Sequence, residues 1–259
     1  MQSEIKKTMK DSQKRGKKKE GAGEKEMIRL NRYIANSGVC SRRDADNLIS
    51  RGEITVNGEV VTDLGTKIDS TARVMHKGNI LNPERKVYIL LNKPAGYVST
   101  TDDPHAEKMV TELIKNACPE RVYPVGRLDK DTTGLLLFTN DGELTKKLTH
   151  PSHRKKKVYH VSLNRPLTRN DMIKLTEGID IGEKVAADAV AYPDPEDKTQ
   201  VGIELHSGQN RVVRRLFEQL GYRVKKLDRV YFAGLTKKNL PRGKWRFLSY
   251  KEVNILKRS

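Results

Sequence analysis

Cysteine is scarce: 259 residues hold two, Cys40 and Cys118, neither in a Cys-x-x-Cys or Cys/His cluster. That excludes a disulfide framework and a zinc site, and both thiols read as small buried hydrophobes. Long apolar runs are missing too. Nothing approaches the roughly 18 consecutive apolar residues that cross a bilayer, and the first residues lack the apolar core of a secretory leader. A cytoplasmic protein without a membrane partner is therefore expected. Acidic residues are the third shortage: 33 Asp and Glu against 51 Lys and Arg leave a net charge of +18. An excess of that size points to a polyanion, because neutralising phosphates is how a basic surface gains affinity. No glycine-rich loop ending in Gly-Lys-Ser or Gly-Lys-Thr occurs, so the machinery of nucleotide hydrolysis is absent. The six histidines show no pairing suited to a hydrolytic triad.

What is present divides the chain by composition. Residues 1–26 are rich in lysine, nearly devoid of apolar residues and broken by Gly21-Ala22-Gly23. Such a stretch cannot bury enough surface to offset its ordering entropy and is expected to be a disordered basic arm. It serves either as a solubilising tail or as an RNA attractor. Residues 27–75 read as a compact module. Leu30, Tyr33 and Ile34 recur at helical spacing, and Ser41-Arg42-Arg43-Asp44 reads as a capping box opening a second helix. Gly52 stands where a helix-ending glycine belongs, and Asn57-Gly58 between Ile54-Thr55-Val56 and Glu59-Val60-Val61 signals a hairpin with a type I′ turn. Arg42 and Arg43 sit in the first turn of a helix, where the dipole disfavours cations. With Arg32, Lys67 and Arg73 they suggest one phosphate-binding face.

Residues 76–86 are expected to be a linker, and 87–257 a second, larger domain. Its expected strands include Val87–Leu91, Tyr97–Thr100, Leu135–Phe138, Val158–Val161, Val185–Tyr192 and Val201–Leu205, with helices over Val110–Ile114, Glu143–Leu148 and Leu167–Glu177. Val213, Leu216, Phe217 and Leu220 make an i, i+3, i+4, i+7 stripe, which turns Arg211 and Arg215 away from the core and leaves Arg214 on the flank, within reach of a cleft. The tail, with Leu227, Val230–Phe232 and Lys244–Leu248, reads as closing strands. The chain is organised around Gly126 to Leu144. There an acidic loop lies between Val122–Val125 and the apolar run Leu135–Phe138, which puts Asp129 at the lip of a buried sheet. Asp129-x-Asp131-x-x-Gly134 imitates the start of a calcium loop, but the twelfth position is Asn140 and the flank is a strand. Arg127 and Lys130 already supply countercharge, so no metal is assigned. His153-Arg154-Lys155-Lys156-Lys157 runs straight into a strand carrying Tyr159, and basic residues with an aromatic beneath them suit a nucleic acid.

Residues 30–75 resemble the small RNA-binding domain first described in ribosomal protein S-four. The likeness rests on Leu30-x-x-Tyr33-Ile34-Ala35, Ser37 through Arg43, Ile49, Gly52 and Val56-Asn57-Gly58. It implies that Ser41, Arg42 and Arg43 face structured RNA. From Val87 to Glu252 the chain resembles a pseudouridine synthase of the RsuA/RluB/RluE/RluF family, nearest the RluB branch across Ser99 to Leu144. The motifs are Leu91 through Ser99, Gly126 through Leu144, Lys157-Val158-Tyr159, Gly208 through Arg215, and Leu227 onward.

The family implies an α+β fold: a two-helix-plus-hairpin RNA-binding domain, then a catalytic domain on a long mixed, mainly antiparallel sheet flanked by helices. It implies a cofactor-free isomerase that converts one uridine of ribosomal RNA, more readily of the large subunit, to pseudouridine. Asp129 would be the catalytic aspartate and Arg214 its partner. Tyr159 would stack near the base and take part in proton transfer. Leu227 would pack under the base. Arg127 would fill the space of the extruded nucleotide, and Lys93 and Pro94 would support the site. Arg154, Lys155, Lys156, Lys157, Arg211 and Arg215 complete the expected RNA-contacting set. The expected partner is ribosomal RNA or an assembling subunit, met as a monomer. Gln209, Val212 and Asp228 depart from the family pattern at positions expected on the RNA-facing rim. The competing readings are a small-subunit RNA target and a non-catalytic ribosome-assembly factor on the same fold.

Overall fold

A computed structural model describes residues 27–100 and 107–258; the expected basic arm lies outside them. The chain divides after Pro83 into two units.

In the first unit, strand β1 (Ile28–Arg29) leads into helix α1 (Leu30–Asn36), and helix α2 (Arg42–Ser50) follows. Both halves of the expected capping box form: the Ser41 hydroxyl accepts from the Asp44 backbone N–H, and the Asp44 carboxylate takes the Ser41 N–H. Gly52 turns the chain left-handed at φ +69°. Strands β2 (Ile54–Val56) and β3 (Glu59–Val60) form the expected hairpin, Asn57 and Gly58 both having positive φ as a type I′ turn requires. After β4 (Lys67–Ile68), which pairs with β1, the strands β5 (Val74–His76) and β6 (Asn79–Ile80) complete an antiparallel sheet in the order β3-β2-β5-β6. Leu30, Ile34, Ala45, Ile49, Ile54, Val74 and Leu81 form its core. The stretch expected to be a linker thus holds a hairpin, and its Leu81 is buried while the Leu81 carbonyl accepts from the Tyr33 hydroxyl. Loose polarity concealed that single apolar anchor.

The second unit is built on a nine-stranded mixed sheet. Its strands are β7 (Tyr88–Lys93), β8 (Tyr123–Pro124), β9 (Thr132–Thr139), β10 (Lys157–Leu163), β13 (Ala189–Ala191), β14 (Gln200–Leu205), β15 (Val224–Phe232), β16 (Leu235–Thr236) and β17 (Trp245–Phe247). The order is β13-β14-β10-β15-β9-β7-β17, with β8 on β9 and β16 on β15. Every pairing is antiparallel except β15 with β9. A separate hairpin joins β11 (Ile179–Asp180) to β12 (Lys184–Val185), so the expected strand Val185–Tyr192 is two short ones. Tyr97–Thr100 is reduced to one bridge between Val98 and Met109, and Val110–Ile114 is a 3₁₀ turn. Helices α3 (Gly142–Thr149), α4 (Arg169–Glu177), α5 (Val212–Gln219) and α6 (Tyr250–Arg258) flank the sheet.

Strand β9 is buried on both faces because alternate residues enter different cores. Leu136 and Phe138 join Leu216, Phe217 and the apolar side of β10 and β14, while Leu135 and Leu137 join Leu144, Leu148 and Leu256. The same edge of β9 pairs with β15 along Thr132–Gly134 and with β8 at Phe138 and Thr139. Between them the Leu135 carbonyl accepts from Arg229 Nε at 2.9 Å and from its terminal nitrogen at 2.7 Å. Close approach of β15 demands glycine at 134, where φ is +108° and a Cβ would lie 2.2 Å from the Arg229 carbonyl oxygen.

Candidate active site

Where β15 leaves β9, a cavity of about 530 Å³ opens, its lining including Gly126–Lys130, Thr132, Lys157, Tyr159, Ser207–Val213, Leu227, Arg229 and Phe232. That size suits a small-molecule or nucleotide-like group. Strand alternation selects the residues that reach it: Lys157 and Tyr159 from β10, Leu227 and Arg229 from β15. Asp129 is the one carboxylate among these lining residues, against the cations Arg127, Lys130, Lys157, Arg211 and Arg229.

The Asp129 loop is held from below by its own backbone carbonyls. Lys93 is wholly buried, and its ammonium donates to the carbonyl oxygens of Pro94, Asp129 and Lys130 at 3.1 Å and of Thr132 at 2.8 Å. Burial pushes its pKa down to about 8, while Asp129 and Asp131 pull the other way; the four carbonyl dipoles likewise favour the charged form. The Ser99 hydroxyl clasps Leu128 on both sides, donating to its carbonyl at 2.8 Å and accepting from its N–H at 3.1 Å. A turn bond from Thr132 N–H to the Asp129 carbonyl completes the loop.

The opposite wall is fixed similarly. Lys157 Nζ donates to the carbonyls of His206 and Ser207 at 3.3 and 3.1 Å, and burial, reinforced by Arg229, brings its pKa to about 8. One buried and one half-buried lysine therefore set the two loops that face each other. Tyr159 is 9% exposed and forms part of the wall, and Leu227 is also in the lining. Arg229, which sequence reasoning missed, lies beneath with its guanidinium 4.7 Å from the Phe232 ring. The Thr132 hydroxyl is buried without a hydrogen-bond partner among the described residues.

Several expected contacts are placed differently. Arg214 is buried, donates to the Val224 carbonyl at 3.1 Å and leaves its Nε unpartnered; among the described residues no ion pair within 4.0 Å joins it to Asp129. The basic run is dispersed rather than gathered into one exposed patch. Arg154 is exposed in a left-handed turn, Lys155 is buried, Lys156 pairs with Glu204, and Lys157 serves the loop carbonyls. Only Lys157 lies in β10; the other three precede it in irregular backbone that begins with the left-handed Arg154 and sends them in different directions. Arg211 begins α5 in a left-handed conformation and reaches Glu218 at 3.7 Å, while Arg215 turns back to the Ile181 carbonyl. In the first unit Arg42 and Arg43 are exposed on the first turn of α2, but the Ser41 hydroxyl is engaged in the cap; Arg32 lies half-buried on α1. Asp228 is not on the rim, because it points to the other side of β15 from Leu227 and Arg229.

A mixed sheet with, among the described residues, one carboxylate in a cation-lined cleft at its middle suits chemistry on an anionic substrate, and comparison with known proteins gives the class. The chain belongs to the RNA pseudouridylate synthase family, whose description matches residues 87–219, with an S4 domain over residues 28–74. It is thus an isomerase, of the RsuA-type branch that carries an S4 domain ahead of the catalytic one. It is 41% identical over 235 residues to the ribosomal large subunit pseudouridine synthase B of Bacillus subtilis, covering 89% of this chain and 96% of that one. It is 36% identical over 229 residues to the dual-specificity RNA pseudouridine synthase RluF of Escherichia coli, covering 87% and 77%. A crystal structure of a pseudouridylate synthase superposes with a TM-score of 0.63 at 29% identity, over 88% of this chain and 99% of that one. Among the described residues no helix is long and apolar enough to cross a membrane.

Proposed function

We propose that this enzyme converts one uridine of large-subunit ribosomal RNA to pseudouridine, with Asp129 as the catalytic carboxylate. The observation that carries this reading is the one carboxylate that the cavity holds among the described residues, on a loop whose backbone is pinned by Lys93 and Ser99. A weak nucleophile or base is useful only if it is held aligned with the reacting atom. In the reaction the bond from N1 to the ribose C1′ breaks, the base turns, C5 bonds to C1′, and the C5 proton leaves as N1 regains one. Nothing is added or lost. Asp129 either bonds covalently to ribose or base or removes a ribose proton. Tyr159 stacks beside the base and assists proton transfer, Leu227 packs under it, and Arg127 fills the place of the extruded nucleotide. Arg214 balances Asp129 in the complex: its buried, unpartnered Nε costs free energy until an acceptor arrives.

The large-subunit assignment rests on the likeness to the Bacillus synthase. Pseudouridine mapping of ribosomal RNA from cells carrying Asp129→Asn tests both parts. Loss of one large-subunit signal is expected. Persistence of every signal would leave an RNA-binding assembly factor on a synthase fold, and loss confined to the small subunit would reassign the target.

A further inference from the structure

On the side of the sheet facing away from the cavity, Asp228 is the centre of an ionic knot. Its carboxylate accepts from the Thr133 hydroxyl at 2.9 Å and from Arg242 at 2.9 Å, and its second oxygen is paired with Lys237. The same guanidinium reaches the Asn92 side-chain oxygen at 2.7 Å and the Lys93 carbonyl at 3.3 Å. The Asn92 amide in turn donates to the Leu240 carbonyl at 2.7 Å. Further backbone bonds run between Asn92 and Gly243 and Lys244. The segment from Lys237 to Lys244 is thereby strapped across the end of β7, the start of β9 and the middle of β15. Thr133 is the second residue of β9, next to Thr132, whose carbonyl is one of the Lys93 ammonium's acceptors and whose side chain lines the cavity. Parallel register sets Asp228 against Thr133 and Leu227 against Thr132. The Asp228 carboxylate is 13% exposed. Burial raises its pKa, but hydrogen bonds from Arg242, Lys237 and Thr133 outweigh that and leave it at about 2, so it is charged throughout the working range. One carboxylate thus links the wall carrying Leu227, the strap and the stem of the Asp129 loop.

We propose that Asp228, clamped by Lys237 and Arg242, is a positioning residue that anchors the start of β9 from the reverse face of the sheet and so fixes where the Asp129 carboxylate stands. This rests on Asp129 being the catalytic group. None of Asp228, Lys237, Arg242 and Thr133 lines the cavity, and the knot meets the wall only through the backbone, where the Thr133 hydroxyl also reaches the Leu227 carbonyl at 3.3 Å, so its removal acts on placement rather than on RNA affinity. Displacement by about an ångström costs up to about 100-fold in rate.

The test measures single-turnover pseudouridine formation on unmodified ribosomal RNA transcripts of both subunits, together with the Kd for the same RNA, using full-length protein. Asp228→Asn is expected to lower the rate about 10- to 100-fold with Kd within about twofold. Thr133→Val, which deletes the hydroxyl's contacts with Asp228 and with the Leu227 carbonyl and keeps the strap's ion pairs, is expected to lower it in the same direction, and Thr133→Ser to restore it. If Asp228→Asn fails to fold, the Thr133 pair carries the measurement alone. A variant that unfolds at lower temperature yet turns over at the wild-type rate would make the knot merely structural and overturn the proposal. A loss seen only in Kd would overturn it too. Asp129→Asn is measured in parallel: if it keeps full rate, the catalytic assignment fails, whereas an inactive Asp129→Asn beside a normal Asp228→Asn sinks the positioning role alone.

Discussion

Lys93 and Lys157 place positive charge where it meets dipoles rather than carboxylates. A buried lysine is costly unless its ammonium is fully satisfied, and here each is spent on the carbonyls of a cavity loop. Both have pKa values brought down to about 8, by burial first. The unfolded chain keeps these protons to higher pH than the folded chain, so the contribution of each group to stability rises between about pH 8 and the ordinary lysine value. Activity should do the opposite, because the neutral amine has fewer donors for the loop carbonyls. The single-turnover rate is expected to fall roughly tenfold as pH climbs from 8 to 9.5, while circular dichroism stays constant. A flat profile, or a fall that tracks unfolding, would remove the lysines from control of the loops. Lys93→Met, which takes the ammonium from four carbonyls and leaves those of Asp129 and Lys130 only their backbone donors Thr132 and Gly96, should in addition cost about 3 kcal/mol in urea unfolding.

At the scale of elements, what the sequence made legible depended on how far apart the partners lie. Caps and tight turns are written within three or four residues, so α2, the Asn57-Gly58 hairpin and the apolar run of β9 were predictable. Strand β15 was expected only as a closing strand, yet it lies centrally between β10 and β9. Its bonds to β9 join residues 94 apart, and the strap joins Arg242 to Asn92 across 150; no local periodicity records either. Arg229 and Asp228 went unrecognised as structural groups for the same reason, since both look like surface charges until β9 covers them. Helix α6 was missed despite a local signal. Ser249 and Glu252 exchange cap bonds, and Arg246 grips the Glu252 carboxylate at 2.8 and 2.7 Å. Arg246 above all holds that carboxyl down at about pKa 2. A lowered folded pKa contributes stability above the unfolded value and loses it as pH falls towards 2. Glu252→Gln should therefore cost about 1.5–3 kcal/mol at pH 7 and progressively less on acidification, vanishing near pH 2. A difference independent of pH would show that Glu252 acts by packing.

Across the whole molecule, the division after Pro83 separates a module rich in exposed arginine from a catalytic unit in which a core set of basic residues is committed to its own carbonyls and carboxylates. Lys93, Lys156, Lys157, Arg214, Arg215, Arg229, Lys237 and Arg242 all hold the second unit together. Net charge therefore overstates how many cations that unit can offer to phosphates, and the exposed arginines of the first unit add their own share of the salt-dependent attraction. There Arg42 and Arg43 stand exposed on α2, against the preference of a helix N-terminus for negative charge. Asp44, the acidic residue of that turn, is engaged in the cap, so an anion placed beside this turn would gain both the dipole and two guanidinium groups. If each arginine neutralises one phosphate, Arg42→Ala with Arg43→Ala should flatten the slope of log K against log salt by about 1.4 to 1.8. Filter binding of ribosomal RNA between low and moderate salt reads this directly. A weakened affinity with the slope unchanged would mean that the two side chains contact bases or shape the module without meeting phosphates. An unchanged affinity and slope would transfer the electrostatic attraction to the catalytic unit and remove α2 from the RNA-binding surface.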